Sequence, residues 1–443
     1  MSIFGAMDTA VSGLTSQSVA FSNISNNISN SQTTGYKAVD TSFSDLVEAS
    51  GGLQDQSGSV SATTQYENQA QGTITASSAN AALAISGNGF FAVNEARGTS
   101  TANTPVFSST QYYTRAGDFS SDKNGYLVNS AGQYLDGYMV NATSGKLNTG
   151  TLVPINVNNV TYKPTATSTV TMAPTVAGVS TLAAGASGTP ETSSQTVYDT
   201  SGRAQKLGLT WTQTAGATAA AGATPATGGT FTLSVSGTNA ATAPTATVVF
   251  NADGSLQSIA QGTPAVVTSG AGAAASFNIG GVGADTTNTI ALNLGTIGSP
   301  GGTSMTTASG VAFNAGSPTQ DGTSAGSYTG FTIQADGSVM GTFDNGETQL
   351  IATVPLATFG DANALQGQDG QAYTASAGSG AASLEMTGQN GAGNLETKSI
   401  ESSTSNLDTD LTKLIVAQQA YGASAKVVST ANNMLSTLLA MKQ

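Results

Sequence analysis

The chain has 443 residues, no cysteine, no histidine, 12 Lys+Arg against 25 Asp+Glu and a formal net charge of −13. This excludes disulfides, thiolate or imidazole metal sites and His-dependent nucleophile systems, and the lack of a basic cluster argues against nucleic acid. Charged residues make up 8% of the chain, against about 25% in a usual soluble domain, so the surface must be built from Ser, Thr, Asn, Gln and backbone and is little repelled by copies of itself.

The first predicted element is a helix. Ile3, Met7, Ala10, Leu14, Gln17, Phe21, Ile24 and Ile28 follow the alternating four-and-three spacing of a coiled-coil seam. Its last turns carry Asn23, Asn26, Asn27 and Asn30, residues that prefer caps and turns. An Asn-rich face on a packed helix can offer donors and acceptors to adjacent subunits. The first basic side chain is Lys37, so no charged n-region precedes an apolar core, and no run approaches the roughly 20 apolar residues of a membrane span. Neither a cleaved signal peptide nor membrane insertion is expected.

Residues 33–72 turn polar and irregular and read as a linker or small extended element. Strand signals begin near residue 73. "LAISGNGFFAV" from Leu83 reads as strand, turn, strand, and Asn124-Gly125, Asp253-Gly254 and Asp336-Gly337 each sit between apolar runs as hairpin turns. Alternation at Leu207, Leu209 and Trp211, at Phe231, Leu233 and Val235, and at Ile290, Leu292 and Leu294 predicts strands with one buried face. Residues 164–321 shift to Ala, Gly, Thr, Ser and Pro, and the earlier strand texture resumes after 322, so the middle reads as an inserted β domain. The chain closes on a second helix with a seam at Leu407, Leu411, Leu414, Gln418, Tyr421, Ala425, Val428, Asn432, Leu435 and Leu439.

The fold class expected is mainly β with α-helical termini that pair as an antiparallel coiled coil. The expected division is nested: 1–32 plus 402–443 helical, 33–72 linker, 73–163 plus 322–401 β-rich body, 164–321 inserted outer β domain. Aligning the body ends of the helices places Ile28 opposite Leu407, Ile24 opposite Leu411, Phe21 opposite Leu414, Leu14 opposite Tyr421 and Met7 opposite Val428. Gln17 then faces Gln418, and a buried amide pair of that kind sets register.

Motifs that suggest chemistry have simpler readings. "GGVGADTTN" (Gly280 to Asn288) matches one turn of a calcium β-roll, but such a site needs successive turns and no second copy follows. "GNGFF" precedes a strand, whereas a phosphate loop precedes a helix. Asp408 and Asp410 fall in the first turn of the second helix, where carboxylates favour the dipole. Asn-x-Ser/Thr triplets at Asn23, Asn27, Asn141 and Asn159 are short enough to arise by chance. No catalytic, cofactor-binding or metal-binding residue is expected, and the chain does not read as an enzyme.

Three segments carry a resemblance. "MDTAVSGLTSQSVAFSNISNNISNSQTTGYK" from Met7, "GNGFFAV" with "YTRAGDFSSDKNGYLVNSAGQYLDGY" from Tyr113, and "ESSTSNLDTDLTKLIVAQQAY" with "STANNMLSTLLAMK" are similar to the N-terminal, body and C-terminal signatures of the bacterial flagellar rod and hook axial proteins. Ser193 to Leu207 and Asp321 to Phe359 resemble the hook branch of that family more than the shorter distal-rod branch. The resemblance implies a structural subunit that self-assembles into a curved tube joining rod to filament and transmitting torque. It implies a homopolymer meeting rod, hook-cap and hook–filament junction proteins, exported by the flagellar type III apparatus to the cell exterior. The seam residues become the polymerisation residues: Ile3, Met7, Leu14, Gln17, Phe21, Ile24, Ile28, Leu407, Leu411, Leu414, Gln418, Tyr421, Val428, Leu435 and Leu439. A distal-rod-type axial protein is the alternative; a secreted β-rich adhesin would share the composition but gives no reason for heptads at both ends.

Overall fold

The structure is a computed structural model, which describes residues 3–441 except 46–58, 100–103, 142–143, 159, 180–181, 183–185, 217–226, 241–242, 263–265, 284–287, 300 and 308–310. The chain divides into two compact units, Met1–Thr161 with Tyr328–Gln443, and Tyr162–Ser327. The first holds two long helices, α1 (Ile3–Ser29) and α2 (Leu407–Ala440), together with a β body. Among the described residues no helix is long and apolar enough to cross a membrane.

The body is built on antiparallel pairing around the strand Phe90–Thr99. That strand bonds to Gln133–Met139, to Tyr112–Thr114 and to Leu356–Thr358. Its four consecutive buried residues follow from cover on both faces: Phe91 and Val93 join a core with Leu83, Phe119, Leu135 and Leu356, while Phe90 and Ala92 join a second with Tyr113, Leu365 and Tyr373. A strand buried on one side would have alternated. The expected turns are present, with Gly125, Gly254 and Gly337 at φ 85°, 84° and 84°. Only a residue without Cβ takes that left-handed conformation freely.

One buried carboxylate in the body lacks compensation. Asp136 is 1% exposed; its Oδ2 accepts from Gln111 Nε2 at 2.8 Å, and its Oδ1 has no partner among the described residues. Burial raises its pKa to about 7, with the Gln111 hydrogen bond opposing. The folded state therefore holds this proton where the unfolded chain has released it. Stability is undiminished below about pH 4, falls as pH rises towards 7, then levels off, at about 1.4 kcal/mol per unit at most. Asp136→Asn removes that loss but leaves an amide N–H unpaired at about 1–3 kcal/mol. Thermal melts should show the variant more stable than the native chain at pH 8 and no more stable at pH 4; equal effects at both pH values would contradict the assignment.

The second unit packs two larger sheets and one two-stranded pair, Thr175–Ala177 with Ser304–Thr306, around one core. Six antiparallel strands lie side by side in chain order from Glu191–Tyr198 to Val266–Ser269, and Ala274–Ile279, Ile290–Thr296, Thr169–Thr171 and Thr319–Gln320 form the other sheet. The alternating residues Leu207, Leu209, Trp211, Phe231, Leu233, Val235, Ile290, Leu292 and Leu294 are all buried in that core. Phe231 meets Phe250 edge to face at 5.6 Å. Part of the Gly280–Asn288 segment lies outside the described residues.

Candidate functional site: the paired helices and their joint

The helices pair within one chain and run antiparallel. The position of a Gly13 Cβ lies 3.4 Å from Ser424 Oγ, and the Phe21 ring meets Tyr421 edge-on at 6.2 Å. Asn406 caps α2 by accepting from the N–H groups of Asp408 and Thr409. On α1, Ala10 and Ile24 are buried, and Met7, Leu14, Gln17, Phe21 and Ile28 are half-buried; the side chain of Ile3 lies outside the described ones.

On α2 the buried stripe is rotated from the expected seam. Leu414, Val428 and Leu435 are half-buried, but Leu407, Leu411, Gln418, Tyr421 and Leu439 are exposed, and the positions turned inward are Asp410, Ala417, Ser424 and Ala431. The amide pair Gln17–Gln418 is therefore not formed: Gln17 instead shares an apolar cleft with Ala20, Ala417 and Ala420. Phe21 meets Tyr421 instead, seven residues beyond the Leu414 expected opposite it. A small residue at every seventh position lets the helix backbones approach, and it keeps the amides of Gln418 and Asn432 in water, where they need no partner. Because the chain has no native cysteine, Gly13→Cys with Ser424→Cys should form a disulfide on oxidation, whereas Gly13→Cys with Gly422→Cys, the pair of the sequence alignment, should not.

Two of the asparagines of α1 also find their partners at home. Strands β1 (Val39–Asp45) and β2 (Val60–Tyr66) form an antiparallel ribbon, which lies along the helix. Asn23 Nδ2 donates to Thr41 Oγ1 at 2.9 Å and Thr64 Oγ1 at 3.2 Å. Asn27 donates to the Val39 carbonyl at 2.8 Å and accepts from the Val39 N–H at 3.0 Å. Ser16 donates to the Val60 carbonyl at 2.8 Å. Asn23 and Asn27 are thus used within the chain, not on neighbouring subunits: Asn23 meets the hydroxyls of Thr41 and Thr64, which pair across the two strands, and Asn27 satisfies both backbone groups of Val39. The described residues of 33–72 are this ribbon and the segments that flank it.

Beneath the ribbon the segment leaving α1 and the segment leading into α2 are locked to the body by a buried ionic triad. Lys37, Arg115 and Glu401 have side chains 1%, 2% and 0% exposed. Glu401 Oε1 accepts from Lys37 Nζ at 2.5 Å and from the Gly72 N–H at 2.7 Å, and its Oε2 accepts from Arg115 Nη1 at 3.2 Å. Its backbone carbonyl accepts from the Gly35 N–H at 2.8 Å. Lys37 also donates to the Ala70 carbonyl, Arg115 to the Gly87 carbonyl at 2.7 Å, and the guanidinium lies 5.2 Å from the centre of the Phe90 ring. Burial pulls the Lys37 ammonium below its ordinary range, with Glu401 pulling it back up and Arg115 adding to the depression. The Arg115 guanidinium is lowered for the same reason and raised by Glu401.

The backbone approaches as closely as chemistry allows here. Gly35 has φ 70°, and a Cβ on it would lie 2.5 Å from the Ala116 nitrogen. Sequence reasoning passed over this triad. The available signal was that in a chain with 8% charged residues, the three signature segments ending "TTGYK", beginning "YTRAGDF" and beginning "ESSTSN" each contribute one of these ions.

Four family models match along the chain: "Flagella basal body rod protein" at 7–37, "Flagellar hook protein FlgE/F/G D1 domain" at 84–174, "Flagellar basal body protein FlaE D2 domain" at 166–323, and "Flagellar basal body rod FlgEFG protein C-terminal" at 396–441. The flagellar hook protein of Brucella suis is 31% identical over 444 residues, covering 100% of both chains. The chain belongs to the flagellar hook protein family. The hook proteins of Rhizobium meliloti, 31% identical over 100% of both chains, and of Salmonella typhimurium, 28% identical over 98% of this chain and 99% of that one, agree along their whole length. Hook proteins are structural subunits that polymerise with one another in the flagellar hook, between rod and filament, and this favours the hook over the distal-rod and adhesin alternatives. The triad thus links the first family match, the body domain match and the last.

Proposed function

We propose that this hook subunit polymerises through the outward faces of its terminal helices, and that the four-part division drawn from the sequence describes its working parts. The observation that carries the reading is uncovered apolar surface on α2. Leu407, Leu411 and Ile415 lie on one flank of the inward stripe and Val416, Val427 and Met434 on the other, and all stay exposed in the single chain, Ile415 at 54% and Val416 at 60%. Val427 and Met434 of the second flank line a groove of about 470 Å³ with Ala6, Ala423 and Ala431, edged by Lys426 and Thr430. A monomeric protein rarely leaves so many large apolar side chains of one helix open, and helices of neighbouring copies have the matching period to cover them.

In this reading the chain leaves the cell through the flagellar type III apparatus and meets rod, cap and junction proteins. The absence of cysteine fits a chain threaded unfolded, since no disulfide has to form or break. The inserted unit, 164–321, contributes outer contacts. Removing residues 405–443 should leave a folded β body that forms no tubes by electron microscopy. Tubes from the truncated chain would overturn the reading.

A further inference from the structure

We propose that Lys37, Glu401 and Arg115 act as a latch that fixes the orientation of the helical pair on the body, and that Lys37 serves orientation and adds no net stability. The proposal rests on the hook reading for its consequence in the polymer, but the latch itself is a property of one chain. Glu401 ties its own segment, leading into α2, to three others at once: Gly35 and Lys37 after α1, Gly72 after the ribbon, and Arg115 in the body. A change in the angle between helices and body must stretch at least one of these contacts.

The charge count separates orientation from stability. Two buried cations share one carboxylate, so the cluster carries a net positive charge where water cannot reach it. Glu401 and Arg115 alone would be neutral, and Glu401 would still accept from Gly72 and Arg115. A methionine fits the volume of the lysine stem without bringing a charge. On charge alone Lys37 is therefore a poor choice, since buried ions can be replaced by apolar groups at little or no cost when no opposite charge is left unpaired, and Glu401 would keep Arg115. What it supplies is a directional bond between the chain leaving α1 and the carboxylate leading into α2. A polar group in a core can be kept for such specificity, as a polar seam residue fixes register in coiled coils.

The test uses the full chain with labels at Lys123→Cys in the body and Ser429→Cys on α2, both exposed, and spin-label distance measurement on the monomer. In Lys37→Met the thermal midpoint should match or exceed that of the native chain, while the distance distribution broadens and polymers lose a single curvature. A narrow, native distribution with native tubes would overturn the latch. So would a lowered midpoint in Lys37→Met, because the lysine would then be a stabilising ion. If the native chain forms no tubes but Lys37→Met still broadens the monomer distances, the hook reading fails and the latch stands.

Discussion

Ile415→Asp is expected to leave the monomer folded and to abolish tube formation. Ile415 is 54% exposed on α2, away from the inward stripe of Ala417, Ser424 and Ala431, so in the single chain the change is a surface substitution, within about 0.5 kcal/mol. In a polymer that covers the outward apolar surface, each subunit would bury an unpaired carboxylate. It would also lose the burial of an isoleucine, about 1.5–3 kcal/mol. The charge adds several kcal/mol more, because an ion without a partner is expensive in apolar surroundings. Repeated at every contact of the tube, that outweighs any single weak interface. The measurements are a thermal melt of the monomer and sedimentation of the assembly mixture. Tubes at native yield, or a monomer that melts far below the native chain, would each contradict the exposure and role given to this face.

Glu401→Gln has the opposite signature. Removing the carboxylate leaves Lys37 and Arg115 buried without a counter-ion, and breaking a buried ion pair in that way costs about 3–5 kcal/mol. For a unit of this size the melting midpoint should fall by on the order of 10 °C. Lys413→Ala provides the contrast. Its pair with Asp40 spans 3.1 Å, but the two side chains are 44% and 49% exposed, and solvent-screened pairs contribute at most about 1 kcal/mol. Equal losses from the two variants would mean that Glu401 is not the buried hub of the joint.

The helices and hairpins were legible because their signals are local. The four-and-three spacing from Met7 to Ile28 and the Asn-Gly and Asp-Gly turns need no partner to be recognised. The α2 seam was half legible. Leu414, Val428 and Leu435 announce themselves, but their companions are Ala417, Ser424 and Ala431, which carry too little hydrophobic weight to outvote Leu411 and Leu439. Pattern reasoning placed the larger apolar residues inward, whereas the close approach of two helices selects small ones, and the large ones were left outside. The β1–β2 ribbon escaped notice because its strands are rich in Thr, Ser and Asp and lean on asparagine amides of a helix, a pairing with no period. The triad was beyond reach for a different reason. Its members stand 78 and more positions apart, as Lys37, Arg115 and Glu401, and nothing in a linear reading says that they meet.

The three-dimensional reconstruction of the native polymer by electron cryomicroscopy tests the central claim most directly. The account expects α2 of each subunit to lie against helices of its neighbours, with Leu411, Ile415 and Met434 buried there and the Lys37–Glu401–Arg115 cluster intact within every subunit. A tube held together by the 164–321 units, with the outward apolar surface of α2 facing solvent, would contradict it.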